Sequence, residues 1–172
     1  MKTHVRWYYG FILICAIITY FSLQYMAQAE QNIQPNSSDR ASDFTLSDLD
    51  GRVVTLSDYK GRIIVLYFMC TWCTDCRSAI PGLKDIYARY GAKGLILLNI
   101  NVMESREKMT AYAKKHSLPY PTLLDRDGNV SRSYGVVGVP VKLLINRDGR
   151  IICWNCRSFD NLLEKQFERT GH

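Results

Sequence analysis

Histidine is scarce in this chain, and the three present, His4, His116 and His172, stand isolated from one another. That argues against a histidine-based metal centre, and no Ser-His-Asp arrangement for acyl transfer can be assembled around them. A glycine-rich phosphate loop is also missing, which removes the usual cradle for a nucleotide. No internal repeat stands out, so a solenoid is not expected. Basic residues outnumber acidic ones, 22 to 16, for a formal charge of +6. They are scattered rather than gathered into a patch and read as solvated surface, with no nucleic-acid partner expected.

What is present is enough for a packed core. The chain has 172 residues, 47% of them hydrophobic and 12% aromatic, which allows one domain plus a tail. Two of the basic residues, Lys2 and Arg6, precede an almost wholly apolar run over residues 7–23, and no charge follows until Glu30. Trp7, Tyr8 and Tyr9 at one end and Tyr20 and Tyr25 at the other resemble aromatic belts, so the run suits a membrane anchor. Ala27-Gln28-Ala29 has the small-x-small pattern of a cleavage site, so residues 1–29 suit a signal peptide equally well. Cys15 follows Ile14 rather than a small residue, which fits a membrane-buried cysteine better than a lipidation site. Under either reading the remainder is exported and lies in an oxidising extracytoplasmic compartment, with the membrane as a partner if the segment is uncleaved. The mass of the mature chain separates the two readings. Residues 30–41 are polar and read as a linker, leaving 42–172 as the folded domain.

Within that domain, residues 44–49 and 52–56 flank Asp50-Gly51 and predict a hairpin. Residues 63–69, Ile-Ile-Val-Leu-Tyr-Phe-Met, predict a strand buried on both faces. Ile80, Leu83, Ile86 and Tyr87 then recur at helical spacing over 76–90. A second buried strand is expected over 95–100, a helix over 104–116, a short strand over 122–124 and a short helix over 130–134. Strands over 141–145 and 150–154 are joined by Asp148-Gly149, and a closing amphipathic helix covers 161–169. Strands alternating with helices give an α/β fold, with a mixed sheet flanked by helices.

The chemistry is carried by six cysteines, at 15, 70, 73, 76, 153 and 156. Cys-x-x-Cys occurs three times, as 70/73, 73/76 and 153/156, and such pairs mean a redox dithiol, a metal site or a structural disulfide. Cys73 and Cys76 fall where a buried strand gives way to a helix. A thiolate there feels unpaired N–H groups and the positive end of the helix dipole, which lowers its pKa below the free value of about 8.5. Trp72 before the pair strengthens the redox reading. In that geometry Cys73 attacks a substrate disulfide and Cys76 resolves the mixed disulfide. Asp75 between them opposes thiolate formation and favours a reducing couple. Gly135 to Pro140, ending in Val139-Pro140, is the second signal: a cis bond there would leave the Val139 backbone free to pair with a peptide.

With these pieces in order, residues 42–152 resemble the thioredoxin-fold thiol–disulfide oxidoreductases of the TlpA/ResA type. The matching residues are Asp43-Phe44-Thr45-Leu46, Leu56-Ser57-Asp58-Tyr59-Lys60-Gly61, Trp72-Cys73-Thr74-Asp75-Cys76-Arg77 and Pro81. Asn101-Val102, the Val139-Pro140 segment and Leu144-Ile145-Asn146-Arg147-Asp148-Gly149 complete them. The resemblance implies a thioredoxin-like fold with an N-terminal β-hairpin and a β-α insertion between the cysteines and the proline. It implies Cys73 as nucleophile, Cys76 as resolving thiol and Pro140 as the cis-proline. Targets would be protein disulfides such as apocytochrome c or metallochaperone cysteines, with electrons from an upstream membrane thiol donor and no cofactor or bound metal. Glu104 falls where some members carry an acid near the site and is the candidate for proton handling. Tyr67 stands where thioredoxin has a buried acid, and Ala79 where the ResA branch has a glutamate.

Cys153-Trp154-Asn155-Cys156 lies outside that pattern. A regular strand holds residues three apart at about 10 Å between α-carbons, too far for a disulfide, so a bond here needs a turn after Trp154. Three readings stand: a structural disulfide, or one free and one buried thiol; a second redox pair exchanging with Cys73 and Cys76; or a four-cysteine zinc or iron–sulfur site drawing on both motifs. Cys70 is expected to be a small core residue. The function expected is an exported disulfide reductase. The alternatives are a disulfide oxidase or isomerase, and a cysteine-based metal-binding protein on the same scaffold.

Overall fold

A computed structural model of the chain describes residues 15, 17–21, 24 and 40–168. Two compact units are present, Met1–Pro35 and Asn36–His172. The described residues of the first are helical, and Cys15 among them is a free, exposed cysteine. No helix among the described residues is long and apolar enough to cross a membrane. Most of the expected anchor or signal segment over 1–29, and of the linker, lies outside the described residues.

The second unit is a seven-stranded sheet with helices packed on it. The strands are β1 (Thr45–Asp48), β2 (Val53–Thr55), β3 (Ile64–Met69), β4 (Ile96–Val102), β5 (Thr122–Asp125), β6 (Val141–Ile145) and β7 (Ile151–Trp154). The helices are α1 (Thr74–Tyr90), α2 (Arg106–Lys115), α3 (Asn129–Ser133) and α4 (Phe159–Glu168). Sheet order is β2-β1-β5-β4-β3-β6-β7. The β3–β4 and β4–β5 pairs are parallel, and the flanking pairs are antiparallel. This is the mixed α/β sheet that the resemblance implies, with the hairpin β1–β2 at one edge and β4–α2 as the inserted segment.

The apolar run of β3 explains why this strand is central. All six of its residues are buried, and alternate side chains feed two cores. Val65, Tyr67 and Met69 meet Leu83 and Ile86 of α1, Met109 of α2 and Phe159 and Leu163 of α4. Ile64, Leu66 and Phe68 meet Phe44, Leu56, Val130 and Tyr134 on the other face. A strand buried on both faces has no use for polar alternation, which is why its sequence shows none.

The two Asp-Gly hairpin turns form as expected and by one device. The Asp48 carboxylate accepts from the Asp50 and Arg52 amides, and the Asn146 side chain accepts from Asp148 and Arg150. Gly51 and Gly149 supply the positive φ angles, 89° and 77°, that other residues rarely adopt. Every helix start differs from expectation, the third by one residue and the others by two. The first begins at Thr74 rather than Cys76, because Cys73 caps it. The second begins at Arg106 rather than Glu104, because the Ser105 side chain accepts from the Lys108 amide and sets the N-cap there.

Leu143 has no exposed surface and lies in β6 between β3 and β7. Leu143→Ala should cost about 2–5 kcal/mol of unfolding free energy, read from urea denaturation. A loss under about 1 kcal/mol would mean that the β3–β6–β7 layer is not packed as described.

Candidate active site

The end of β3 delivers the chain into a tight turn, Cys70-Thr71-Trp72-Cys73, closed by the Cys73 amide donating to the Cys70 carbonyl at 3.3 Å. Cys73 then has extended backbone, and its sulfur accepts from the Cys76 amide at 3.0 Å. A helix leaves its first N–H groups without partners, and here a sulfur takes the place of the usual Ser or Asp oxygen. The same interaction stabilises negative charge on Cys73 once it is reduced. Cys73 and Cys76 form a disulfide with α-carbons 5.2 Å apart. Cys73 is 8% exposed and Cys76 is fully enclosed, so an incoming sulfur can reach only the first.

Two segments frame the reachable sulfur. Trp72 is 74% exposed and sits directly before it. Val139–Pro140 is a cis peptide bond, and the Val139 carbonyl oxygen lies 3.8 Å from the Cys73 sulfur. Sequence separation here is large, but β6 runs antiparallel to β3 with Val141 opposite Phe68, so the start of one lies beside the end of the other. Val137, three residues before Pro140 on the same segment, is also exposed. The Tyr67 hydroxyl donates to the Cys76 carbonyl at 3.1 Å. Burial, aided by nearby Tyr120 and Tyr112, pushes the Tyr67 pKa well up, so it stays a neutral donor. It holds the helix turn that carries Cys76 and offers no acid for proton exchange.

Glu104 is placed differently from the proton-handling expectation. Its carboxylate accepts from the Thr71 amide and hydroxyl, both at 2.7 Å, and from the Asn101 side chain at 2.7 Å. It also pairs with Lys108 at 2.6 Å. The side chain is only 4% exposed, and burial alone would raise its pKa. The bonds from Lys108, Thr71 and Asn101 outweigh burial and lower it. A carboxylate held ionised by four donors is a poor proton relay near neutral pH; it ties the Cys70–Cys73 turn to β4 and α2. No sequence signal marks Thr71 or Lys108, and Asn101 matches the resemblance without a role attached, because these roles exist only once the strands are adjacent.

Cys70 is buried as expected. Burial and the neighbouring Glu104 carboxylate push its thiol pKa up. Among the described residues, the sulfurs of Cys70, Cys73 and Cys76 lie within 4.8 Å of one another and form a group that could hold a metal ion. Cys153 and Cys156 are not part of it, so a four-cysteine centre spanning both motifs lacks its ligand set. Those two form their own disulfide, with α-carbons 5.6 Å apart. The turn that this requires is made at Asn155, whose φ is 43°. Asp75 is exposed, so its influence on the dithiol is weakened by solvent.

Comparison with known proteins follows this geometry. Residues 38–153 match the model of the AhpC/TSA family. Thiol-disulfide oxidoreductase ResA of Geobacillus thermodenitrificans is 36% identical over 111 residues, 64% of this chain and 64% of the relative. ResA of Bacillus subtilis is 30% identical over 141 residues, covering 82% of this chain and 77% of the relative. Among solved structures, a putative thiol:disulfide interchange protein DsbE from Chlorobium tepidum aligns with a TM-score of 0.69 at 29% identity, over 78% of this chain and 96% of that one. A putative protein disulfide isomerase from Bacteroides thetaiotaomicron aligns with a TM-score of 0.69 at 30% identity, over 76% and 87% of the two chains.

The ionised state of Glu104 has a thermodynamic signature. A lowered folded-state pKa contributes stability that is complete above the ordinary carboxylate value, 4.5, and is lost as pH falls through the folded value. Wild type should therefore exceed Glu104→Gln in Tm at pH 7, and the gap should close as the pH is taken below 4.5. A gap that stays constant with pH would contradict the charged assignment.

Proposed function

The chain belongs to the AhpC/TSA family and is a thiol–disulfide oxidoreductase, and from that premise we propose that it is an extracytoplasmic reductant of protein disulfides, with Cys73 as nucleophile and Cys76 as resolving thiol. The observation that carries the assignment is the asymmetry of the pair: Cys73 sits at the mouth, capping α1, while Cys76 is enclosed. In the reduced protein the Cys73 thiolate attacks one sulfur of a substrate disulfide. That S–S bond breaks, a mixed disulfide forms, and the departing substrate sulfur leaves as a thiolate and takes a proton. The Cys76 thiolate then attacks the Cys73 sulfur, closing the Cys73–Cys76 bond and releasing the substrate as a dithiol two electrons richer. Trp72 supplies apolar contact, and Val139, beside Pro140, supplies the backbone edge along which a peptide is held.

The reducing direction rests on what surrounds the sulfur. The residues between the cysteines are Thr74 and Asp75, neither of them a cation, so a Cys73 thiolate has the helix terminus and the Cys76 amide as its main support. Weaker stabilisation of the thiolate favours the disulfide in the protein and makes the dithiol a better donor. Export is supported by Lys2 and Arg6 ahead of the apolar run, and it calls for an upstream membrane thiol donor to restore the dithiol. The substrate class is an exported protein with a Cys-x-x-Cys disulfide, of the apocytochrome c or metallochaperone type.

A second reading, binding of a soft metal ion by the reduced thiols, is favoured only by the proximity of Cys70, Cys73 and Cys76. Near-stoichiometric metal in anaerobically purified protein, lost in Cys73→Ser, would support it over the simple reductant.

For the reductant, stoichiometric mixing of reduced protein with an oxidised peptide carrying a Cys-x-x-Cys-His disulfide should open the peptide. Cys76→Ser should accumulate a mixed disulfide through Cys73, and Cys73→Ser should reduce the rate by at least about 10³-fold, since the nucleophile itself is removed. A mixed disulfide through Cys76, or reduction persisting in Cys73→Ser, would overturn the assignment.

A further inference from the structure

The second disulfide lies next to the proline loop, and one residue joins them. β7 pairs antiparallel with β6, Cys153 opposite Leu144 and Trp154 opposite Leu143. Continuing that line brings residue 155 beside Lys142. The Asn155 amide donates to the Lys142 carbonyl at 2.9 Å. Its side-chain oxygen accepts from the Lys142 amide at 2.7 Å, and its side-chain nitrogen donates to the Pro140 carbonyl at 3.3 Å. Three bonds from a single residue thus hold the segment that begins at the cis bond, whose Val139 carbonyl faces the Cys73 sulfur at 3.8 Å.

Asn155 can do this only from a left-handed backbone conformation, φ 43°, which asparagine tolerates better than most residues. It is also exposed, so water competes for each of its bonds, and free in solution such bonds are individually weak. The disulfide answers both problems. Cys153 is enclosed in the core and fixes one end of the four-residue loop. The bond to Cys156 fixes the other and restricts the turn at Asn155 before any hydrogen bond is made, so less ordering entropy opposes them.

We infer that Asn155, locked in place by the Cys153–Cys156 disulfide, is a positioning residue that holds the Val139-Pro140 loop in register to receive a substrate peptide. The disulfide is then a latch on the binding edge, not a second electron carrier. This rests on the reading of the proline loop as the peptide-binding edge.

Asn155→Gly separates side chain from backbone, because glycine keeps the left-handed turn and loses the two side-chain bonds. With an oxidised insulin-type protein as substrate, the variant should raise KM at least about fivefold, since one net hydrogen bond is worth about that factor and two are lost, with a smaller effect on kcat. The loss should be smaller for a small aromatic disulfide, which needs no peptide edge. Hydrogen exchange of the Lys142 amide should quicken by a similar factor relative to the Leu144 amide. Cys156→Ser, chosen because Cys156 is half-buried while Cys153 is core, should raise KM in the same direction, and the double variant should add little to either. Asn155→Asp, which retains the acceptor for Lys142, should fall between wild type and glycine. A KM within twofold of wild type in Asn155→Gly overturns the proposal whether or not Lys142 exchange quickens, and so does a KM rise without faster exchange. If wild type itself fails to reduce the protein disulfide, it is the proposed function that fails. Lys142 exchange in Asn155→Gly and Cys156→Ser then decides the latch: faster in both supports it, unchanged in either overturns it.

Discussion

The constraint on which the rest depends is the burial of β3 between a parallel and an antiparallel neighbour. With both faces covered and both edges paired, the strand cannot shift by one residue without exchanging its two cores. Its end is therefore a fixed point, and the turn that leaves it places Cys73 on the tip of α1. Because β6 returns antiparallel beside it, the proline loop starts where β3 ends. Because β7 is antiparallel to β6 in turn, the Cys153–Cys156 turn arrives at that same edge. Three pieces of chain far apart in sequence are brought together by one sheet order.

Charge around the dithiol follows from the same arrangement. Glu104 is drawn under the Cys70–Cys73 turn by four donors and remains a carboxylate. Burial, with the Glu104 field added to it, pushes the Cys70 thiol pKa up, which separates this enclosed sulfur from the reactive one above it. Tyr67 is kept neutral by burial. The direct stabilisers of a Cys73 thiolate are thus backbone groups, the Cys76 amide and the helix terminus, rather than side-chain acids or bases.

Much of this was legible in the sequence for identifiable reasons. β-branched and aromatic runs without charge announce β3 and β4, and Asp-Gly pairs announce both hairpins, because each is a local effect. The roles expected of Cys73 and Cys76 follow from their place at a strand-to-helix junction. What local reasoning misplaced is what depends on neighbours. Glu104 resembles a free acid until Thr71, Asn101 and Lys108 close around it, and the first two helix starts move by two residues because Cys73 and Ser105 act as caps. Asn155 did carry a signal: the spacing of Cys153 and Cys156 requires a turn, and asparagine is one of the few residues that makes a left-handed one cheaply. Its bonds to Lys142 and Pro140 need the β6–β7 register, which no single segment reveals.

The central claim is that Cys73 and Cys76 form a reducing couple whose thiolate has the Cys76 amide and the helix terminus as its main support. The reduction potential of the couple, measured by equilibration with a dithiol buffer at pH 7, tests it most directly. A value at or below about −220 mV agrees with a reductant, and a value near −120 mV, as in a strong oxidant, would contradict it.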